Sequence, residues 1–172
     1  MVKKKYIGKL ISIKYLDRPT TFYGFIVDYN DDWTLMKSNS IDYVIDGYIL
    51  LRHKNIEGFK IDANTRFREK VIKLKGEDLP IVKKFPLTDL ETILTYLTNK
   101  YGVFAFYLKS EKSCYLGKLK SITKTKLTID YLNTKGVWKT KMEFRPNDIR
   151  TIEFDSNYIN SLSLISKSRE VK

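Results

Sequence analysis

GFIVDYNDDWTL (residues 24–35) and GKLKSITKTKLT (residues 117–128) repeat one pattern of glycine followed by spaced apolar residues. From Gly24 to Ile56 is 32 residues, and the interval from Gly117 to Ile149 is also 32. At shared offsets Ile26 stands with Leu119, Tyr29 with Ile122, Ile49 with Met142 and Leu51 with Phe144. Further on, Arg52 matches Arg145, Asn55 matches Asp148, Phe59 matches Ile152 and Ile61 matches Phe154. Agreement at so many offsets points to an internal duplication, although identity between the halves is low.

Each copy reads as short alternating strands divided by polar turns such as LDRPT, NDD and LNTKG. About five strands in about 55 residues predicts a small barrel, in which closure removes exposed sheet edges. Two helical signals lie between the copies. NTRFREKVIKLKG spaces Phe67, Val71 and Leu74 on one face and ends at Gly76. PLTDLETILTYLTNKYG offers Thr88 and Glu91 as a capping box, a stripe of Leu90, Ile93, Leu94 and Leu97, and a stop at Gly102. A last short helix is expected with Tyr158, Leu162 and Ile165 on one face. The expected fold is mainly β with a helical linker (α+β): two tandem five-stranded barrels. The boundaries place the first barrel at 1–61, the linker at 62–102, and the second barrel with its C-terminal helix at 103–172.

Composition narrows the function. The chain has 172 residues, 42% hydrophobic and 13% aromatic, as a folded core requires. No apolar run approaches the roughly 20 residues of a membrane span, and the start has no long apolar h-region. One cysteine, Cys114, leaves no internal disulfide and no cysteine-based zinc site. A cytoplasmic location is expected. The net charge of +12 and pI near 9.6 favour polyanionic partners. Lysine outnumbers arginine 25 to 7, as an AT-rich bacterial genome would produce, and lysine is then also the ordinary surface residue.

Gly24, Ile26, Tyr29, Asn30, Trp33, Thr34 and Leu35 occupy the positions of the first motif of the Sm/Lsm family of small RNA-associated barrels. LRHKNI, with Leu51, Arg52, Asn55 and Ile56, resembles the second motif, and FRPNDI (Arg145, Asp148, Ile149) echoes it. The likeness covers about residues 8–61 and, more weakly, 103–155, as a tandem pair resembling a bacterial group of paired Sm-like barrels. In that family an aspartate, an asparagine and an arginine hold a splayed base. Here those positions carry Asn30, Thr34 and Arg52, with His53 in place of the following glycine, so only the arginine is kept. In the second copy the loop of the first motif reads one residue shorter, with Leu127 at the Thr34 position. The resemblance implies that both barrels are of Sm-like or SH3-like type, and it leaves Arg52 and Asn30 as the candidates for base or ribose contact.

Strand alternation sends neighbouring side chains to opposite sides. With Leu119, Leu127, Ile129, Met142 and Phe144 inward, Lys118, Lys120, Lys126, Lys139 and Lys141 share an outward basic face with Thr128 and Glu143. Trp138 has the parity of Met142 and is expected inside. Five lysines on one face are enough to contact phosphates, and a solvated strand face is the competing explanation. At the same offsets the first copy is apolar: Phe25, Val27, Tyr48 and Leu50 form a face that must be covered by the linker helix, the other barrel or another subunit.

Catalytic chemistry has little support. His53 is the single histidine, in an expected turn, and there is no phosphate loop, nucleophile elbow or metal-binding histidine pair. DYNDD (28–32) lacks the spacing of a calcium loop. Cys114 has no histidine partner and reads as a small hydrophobe. The expectation is a protein without cofactor or metal that is not an enzyme and binds nucleic acid, RNA favoured. The alternative is a protein-interaction or homo-oligomerisation module using the apolar face of the first barrel.

Overall fold

Glycine opens both copies because a neighbouring strand leaves no room for a side chain. In the computed structural model, which describes residues 4–77, 85–110 and 112–170, a Cβ on Gly24 would lie 2.5 Å from the carbonyl oxygen of Lys37. A Cβ on Gly117 would come closer still to the carbonyl oxygen of Asp130. Lys37 and Asp130 are themselves as far apart in sequence as the two glycines.

The strands are β1 (Leu10–Tyr15), β2 (Thr21–Tyr29), β3 (Trp33–Ser38), β4 (Tyr48–Arg52) and β5 (Ile56–Lys60), followed by helix α1 (Ala63–Leu74). Helix α2 (Leu90–Tyr101) then leads into β6 (Phe104–Tyr107), β7 (Cys114–Ile122), β8 (Leu127–Leu132), β9 (Trp138–Phe144) and β10 (Thr151–Phe154), and α3 (Asn157–Glu170) ends the described chain. The class is mainly β with helices, α+β. The chain divides into two compact units, one ending at Leu87 and the other starting at Thr88.

Unit one orders its antiparallel strands β5-β1-β2-β3-β4, and unit two orders them β10-β6-β7-β8-β9. The ladders agree residue for residue. Ile11↔Gly24, Gly24↔Ser38 and Ile26↔Met36 in unit one correspond to Phe104↔Gly117, Gly117↔Tyr131 and Leu119↔Ile129 in unit two. Both second strands carry a register shift at the same place, between Ile26 and Asp28 and between Leu119 and Ser121. The pairs Tyr29↔Thr34 and Ile122↔Leu127 enclose turns of equal length, so the expected one-residue shortening in the second copy is absent. Closure into two barrels is not seen: β4 and β5 stand at opposite ends of the first unit's order, as β9 and β10 do in the second, and no ladder joins either pair among the described residues.

One side of each sheet is a core. In unit one it holds Ile11, Ile13, Tyr15, Ile26, Met36, Ile49 and Leu51. In unit two it is aromatic: the Phe144 ring meets Phe106 at 5.0 Å and Tyr115 at 4.6 Å between centroids. The opposite sides are closed by helices. Ile72 of α1 packs on Leu10 and Phe25, and Ile159 and Leu162 of α3 pack with Val103, Ala105, Leu116, Leu132 and Trp138.

The helices correct several expectations. The linker over 62–102 is not a separate region: α1 belongs to unit one, α2 belongs to unit two, and residues 78–84 lie outside the described residues. The α1 face turned to the sheet is not Phe67, Val71 and Leu74, since Phe67 is 56% and Leu74 77% exposed. Thr65 and Ile72 are buried instead. Polar anchors set that rotation. Glu69 Oε2 accepts the Leu10 backbone N–H at 3.1 Å, and the Arg68 guanidinium sits 4.5 Å from the Tyr23 ring centre. Helix α2 buries Ile93, Leu94 and Leu97 as its stripe requires and stops at Gly102 with φ 78°. Its N-cap is Asp89, accepting from the Thr92 N–H at 2.9 Å, rather than Thr88. Helix α3 buries Ile159, Ser163 and Ser166, while Tyr158 and Ile165 are exposed.

Candidate nucleic-acid interface

The lysine-bearing strands of unit two are β7, β8 and β9, and their register decides which side each lysine takes. Directly opposed residues share a side. Leu119↔Ile129 and Ile129↔Met142 mark the core side, while Lys118↔Asp130 and Thr128↔Glu143 mark the other. Lys141 flanks Met142 and Lys126 precedes Leu127, so both join Lys118 and Glu143 on the outer side. Lys120 lies at the β7 bulge and pairs with Asp130 at 3.6 Å. Lys126 pairs with Glu143 at 3.3 Å.

Lys139 does not share this surface. β9 holds an extra residue between Tyr131↔Lys139 and Ile129↔Met142, and this bulge reverses the alternation. Lys139 therefore opposes Tyr131, on the side of Ile129, although it is solvent-exposed. The same bulge carries Trp138 outward. Trp138 opposes Leu132, and the Lys118 ammonium stands 4.8 Å from its ring centre. Trp138 thus leaves the Met142 side but stays half-buried in the apolar cluster under α3, and Lys139 does not join the other four lysines. Nothing in the residue types of WKTKMEF marks where the extra residue falls.

The outer side of unit two is a surface of Lys118, Lys120, Lys126 and Lys141 beside one indole, with Asp130 and Glu143 between them. All four residues of the two ion pairs are roughly a third exposed or more, so water screens each pair and its worth is about 0–1 kcal/mol. The lysines are held loosely and are free to exchange a carboxylate for a phosphate.

In unit one, Asn30 is occupied with its own turn. Its Oδ1 accepts the backbone N–H of Asp32 at 2.8 Å and of Trp33 at 2.7 Å, while its Nδ2 donates to the Leu87 carbonyl at 2.9 Å. Arg52 opposes Trp33 and places its guanidinium 5.4 Å from that indole. Thr34 opposes Leu51 and so takes the other side of the sheet. The arginine and threonine at the family's pocket positions therefore point apart. Asn55 adopts φ 66° and donates to Asp17 Oδ2 at 2.9 Å, which gives the RxxN element a turn-forming role.

His53 and Thr34 line a cleft of about 320 Å³ with Ile13, Asp31 and Phe59. His53 Nδ1 lies 2.7 Å from the Asp31 carbonyl, which can only accept, so Nδ1 carries the proton. Nε2 then accepts from the Thr34 hydroxyl at 2.8 Å. Burial holds the ring below its ordinary pKa and keeps it neutral. Cys114 is half-buried, and burial pushes its thiol up to about 11, so it carries little thiolate at neutral pH.

Phe25, Tyr48 and Leu50 are 2%, 5% and 0% exposed, and Val27 is half-buried at the β2 bulge. Ile72 of α1 covers Phe25, and the Lys37 ammonium stands 4.3 Å from the Tyr48 ring centre. Among the described residues, no group of three or more histidine, cysteine, aspartate or glutamate side chains converges as a metal site. Nor is any helix among them long and apolar enough to cross a membrane. Comparison with protein-family models, curated proteins and solved structures yields no match.

Proposed function

We propose that this protein is a non-catalytic, cytoplasmic nucleic-acid-binding protein, RNA favoured, built from two Sm-like units. The outer side of unit two makes the contact: Lys118, Lys120, Lys126 and Lys141 meet phosphates, and Trp138 offers an edge or face for a base. The observation that supports this reading most is the placement of an indole beside Lys118, since aromatic stacking next to cations is how sequence-tolerant single-strand binding is built. Arg52 and Lys139 supply secondary charge, and Asn30 acts by shaping its turn.

Fluorescence anisotropy of a labelled single-stranded RNA across a salt series tests the reading. Four phosphate contacts give a log–log slope of about −2.8, from about 0.7 per contact. Replacing Lys118, Lys120 and Lys141 with glutamate should flatten it. Absence of wild-type binding at about 50 mM salt, where charge contacts are strongest, overturns it. A stable homo-oligomer in that sample would then favour a protein-interaction module.

A further inference from the structure

A second basic surface lies in unit one, where none was expected. The turn at Lys4–Tyr6, the start of β1 and one face of α1 enclose a cleft of about 620 Å³, within the size range of small-ligand sites. Five cations line it: Lys5, Lys9, Arg66, Lys70 and Lys73. Glu69 is the single carboxylate in the lining, and it is already engaged. Burial raises its pKa, but the hydrogen bonds from Lys73 and the Leu10 amide outweigh that and hold it below the ordinary range. It therefore stays ionised and neutralises Lys73. Lys9 feels Glu69 only at longer range, and Lys5, Arg66 and Lys70 form no ion pair among the described residues. Four uncompensated cations face one concave volume, against four lysines and two carboxylates on the flatter surface of unit two.

The arrangement on α1 is costly without a ligand. Arg66 and Lys70 are four residues apart, so two like charges without a carboxylate partner share one helix face, and such a pair destabilises by a few tenths of a kcal/mol. Arg66 and Lys70 are about 6 Å apart along the axis, at a 1.5 Å rise per residue. That repeat is comparable to the spacing of successive phosphates on an extended single strand. The cleft also has apolar wall. Tyr6 and Ile61 are half-buried in it, and Leu74, among the most exposed large apolar residues described, stands at its end. Tyr6 is braced edge-on by Phe59 at 5.2 Å, so its ring is held in place.

We propose that this cleft is a second nucleic-acid site, taking two or more successive phosphates of a single strand between α1 and Lys5 and Lys9, with a base or sugar against Tyr6 and Leu74. The inference rests on the nucleic-acid reading above, and the experiment separates the two. A labelled oligouridine is titrated against the full chain, Arg66→Gln/Lys70→Gln, Lys5→Gln/Lys9→Gln and Lys118→Glu/Lys120→Glu/Lys141→Glu. Each cleft double variant should weaken binding roughly tenfold or more at about 100 mM salt and lower the salt slope by about 1.4. All six positions other than half-buried Lys118 are exposed, and either cleft pair tests the site if the other alters folding, as a thermal melt would reveal. Loss of affinity only in the unit-two variant overturns the cleft and leaves the reading of unit two standing. Loss only in the cleft variants supports the cleft and overturns the unit-two surface. No binding by the wild-type chain overturns both.

Discussion

Phe25 and Lys118 hold the same place in two ladders of matching register, and their surroundings have diverged. In unit one that place is roofed by Ile72 of α1. In unit two it carries a half-buried lysine lying over an indole that packs with α3. The inner sides of the two sheets have stayed apolar, and the strand pairing around both glycines is unchanged. What differs is how the outer side is covered: α1 sets Ile72 over Phe25 in unit one, whereas α3 covers Ala105, Leu116 and Leu132 in unit two and leaves the lysines at the rim of that cluster. A duplicated frame can thus keep its core constraints and release one face to each copy separately.

The contrast can be broken at several points, the most damaging first. Ile72→Ala should cost about 2–5 kcal/mol in chemical denaturation, because it opens a void over Leu10 and Phe25. Lys118→Ala should stay within about 0.5 kcal/mol, as surface changes do. A loss below about 1 kcal/mol for Ile72→Ala would mean that α1 is not the roof. Gly24→Ala and Gly117→Ala should each cost about 1–3 kcal/mol, because the opposing atom is a backbone carbonyl and cannot turn aside. If one glycine tolerates the change and the other does not, the two frames are not equivalent.

The charged side is sharpened by subtraction. Asp130→Asn/Glu143→Gln should tighten RNA binding while moving the melting midpoint little, since each screened pair contributes about 0–1 kcal/mol. Weaker binding in that variant would show that the carboxylates orient the lysines rather than compete with phosphate. The mildest effect is on pH. His53 has a folded-state pKa below its unfolded value, so the unfolded chain takes the proton first. Its contribution is fully present above about pH 6.5 and is lost as pH falls through the lowered value. His53→Gln should flatten the dependence of the melting midpoint on pH in that window. Unit two carries Pro146 at the matching position, so no such dependence should come from there.

Much of the frame was legible because it depends on local constraints. Two glycines facing carbonyls, apolar residues at fixed offsets and a helix with one unbroken stripe all leave direct marks in the residue order. The misreadings share a different cause. Simple alternation along β9 does not foresee a bulge that no residue type announces, and beyond it Trp138 and Lys139 take the opposite sides. The largest apolar residues of α1 and α3 do not mark the faces those helices bury. Packing instead selected Ile72 beside the Glu69 anchor in the first, and Ile159 with two serines in the second. Thr88 and Asp89 are both good caps, and only the chain direction at the helix start distinguishes them. The basic cleft was invisible because its two walls are separated by more than fifty residues.

The bulge in β9 also bears on how such a surface can arise or be removed. Three residues of β9 span the interval that two residues of β8 span, so the ladder there holds one residue more than it needs. Deleting Thr140 would leave Leu132↔Trp138 and Ile129↔Met142 as partners and restore an even ladder between them. Shortening β9 elsewhere would turn part of its apolar set toward water. Tolerance to single-codon deletion should therefore peak sharply at that position, with Trp138 keeping its place opposite Leu132.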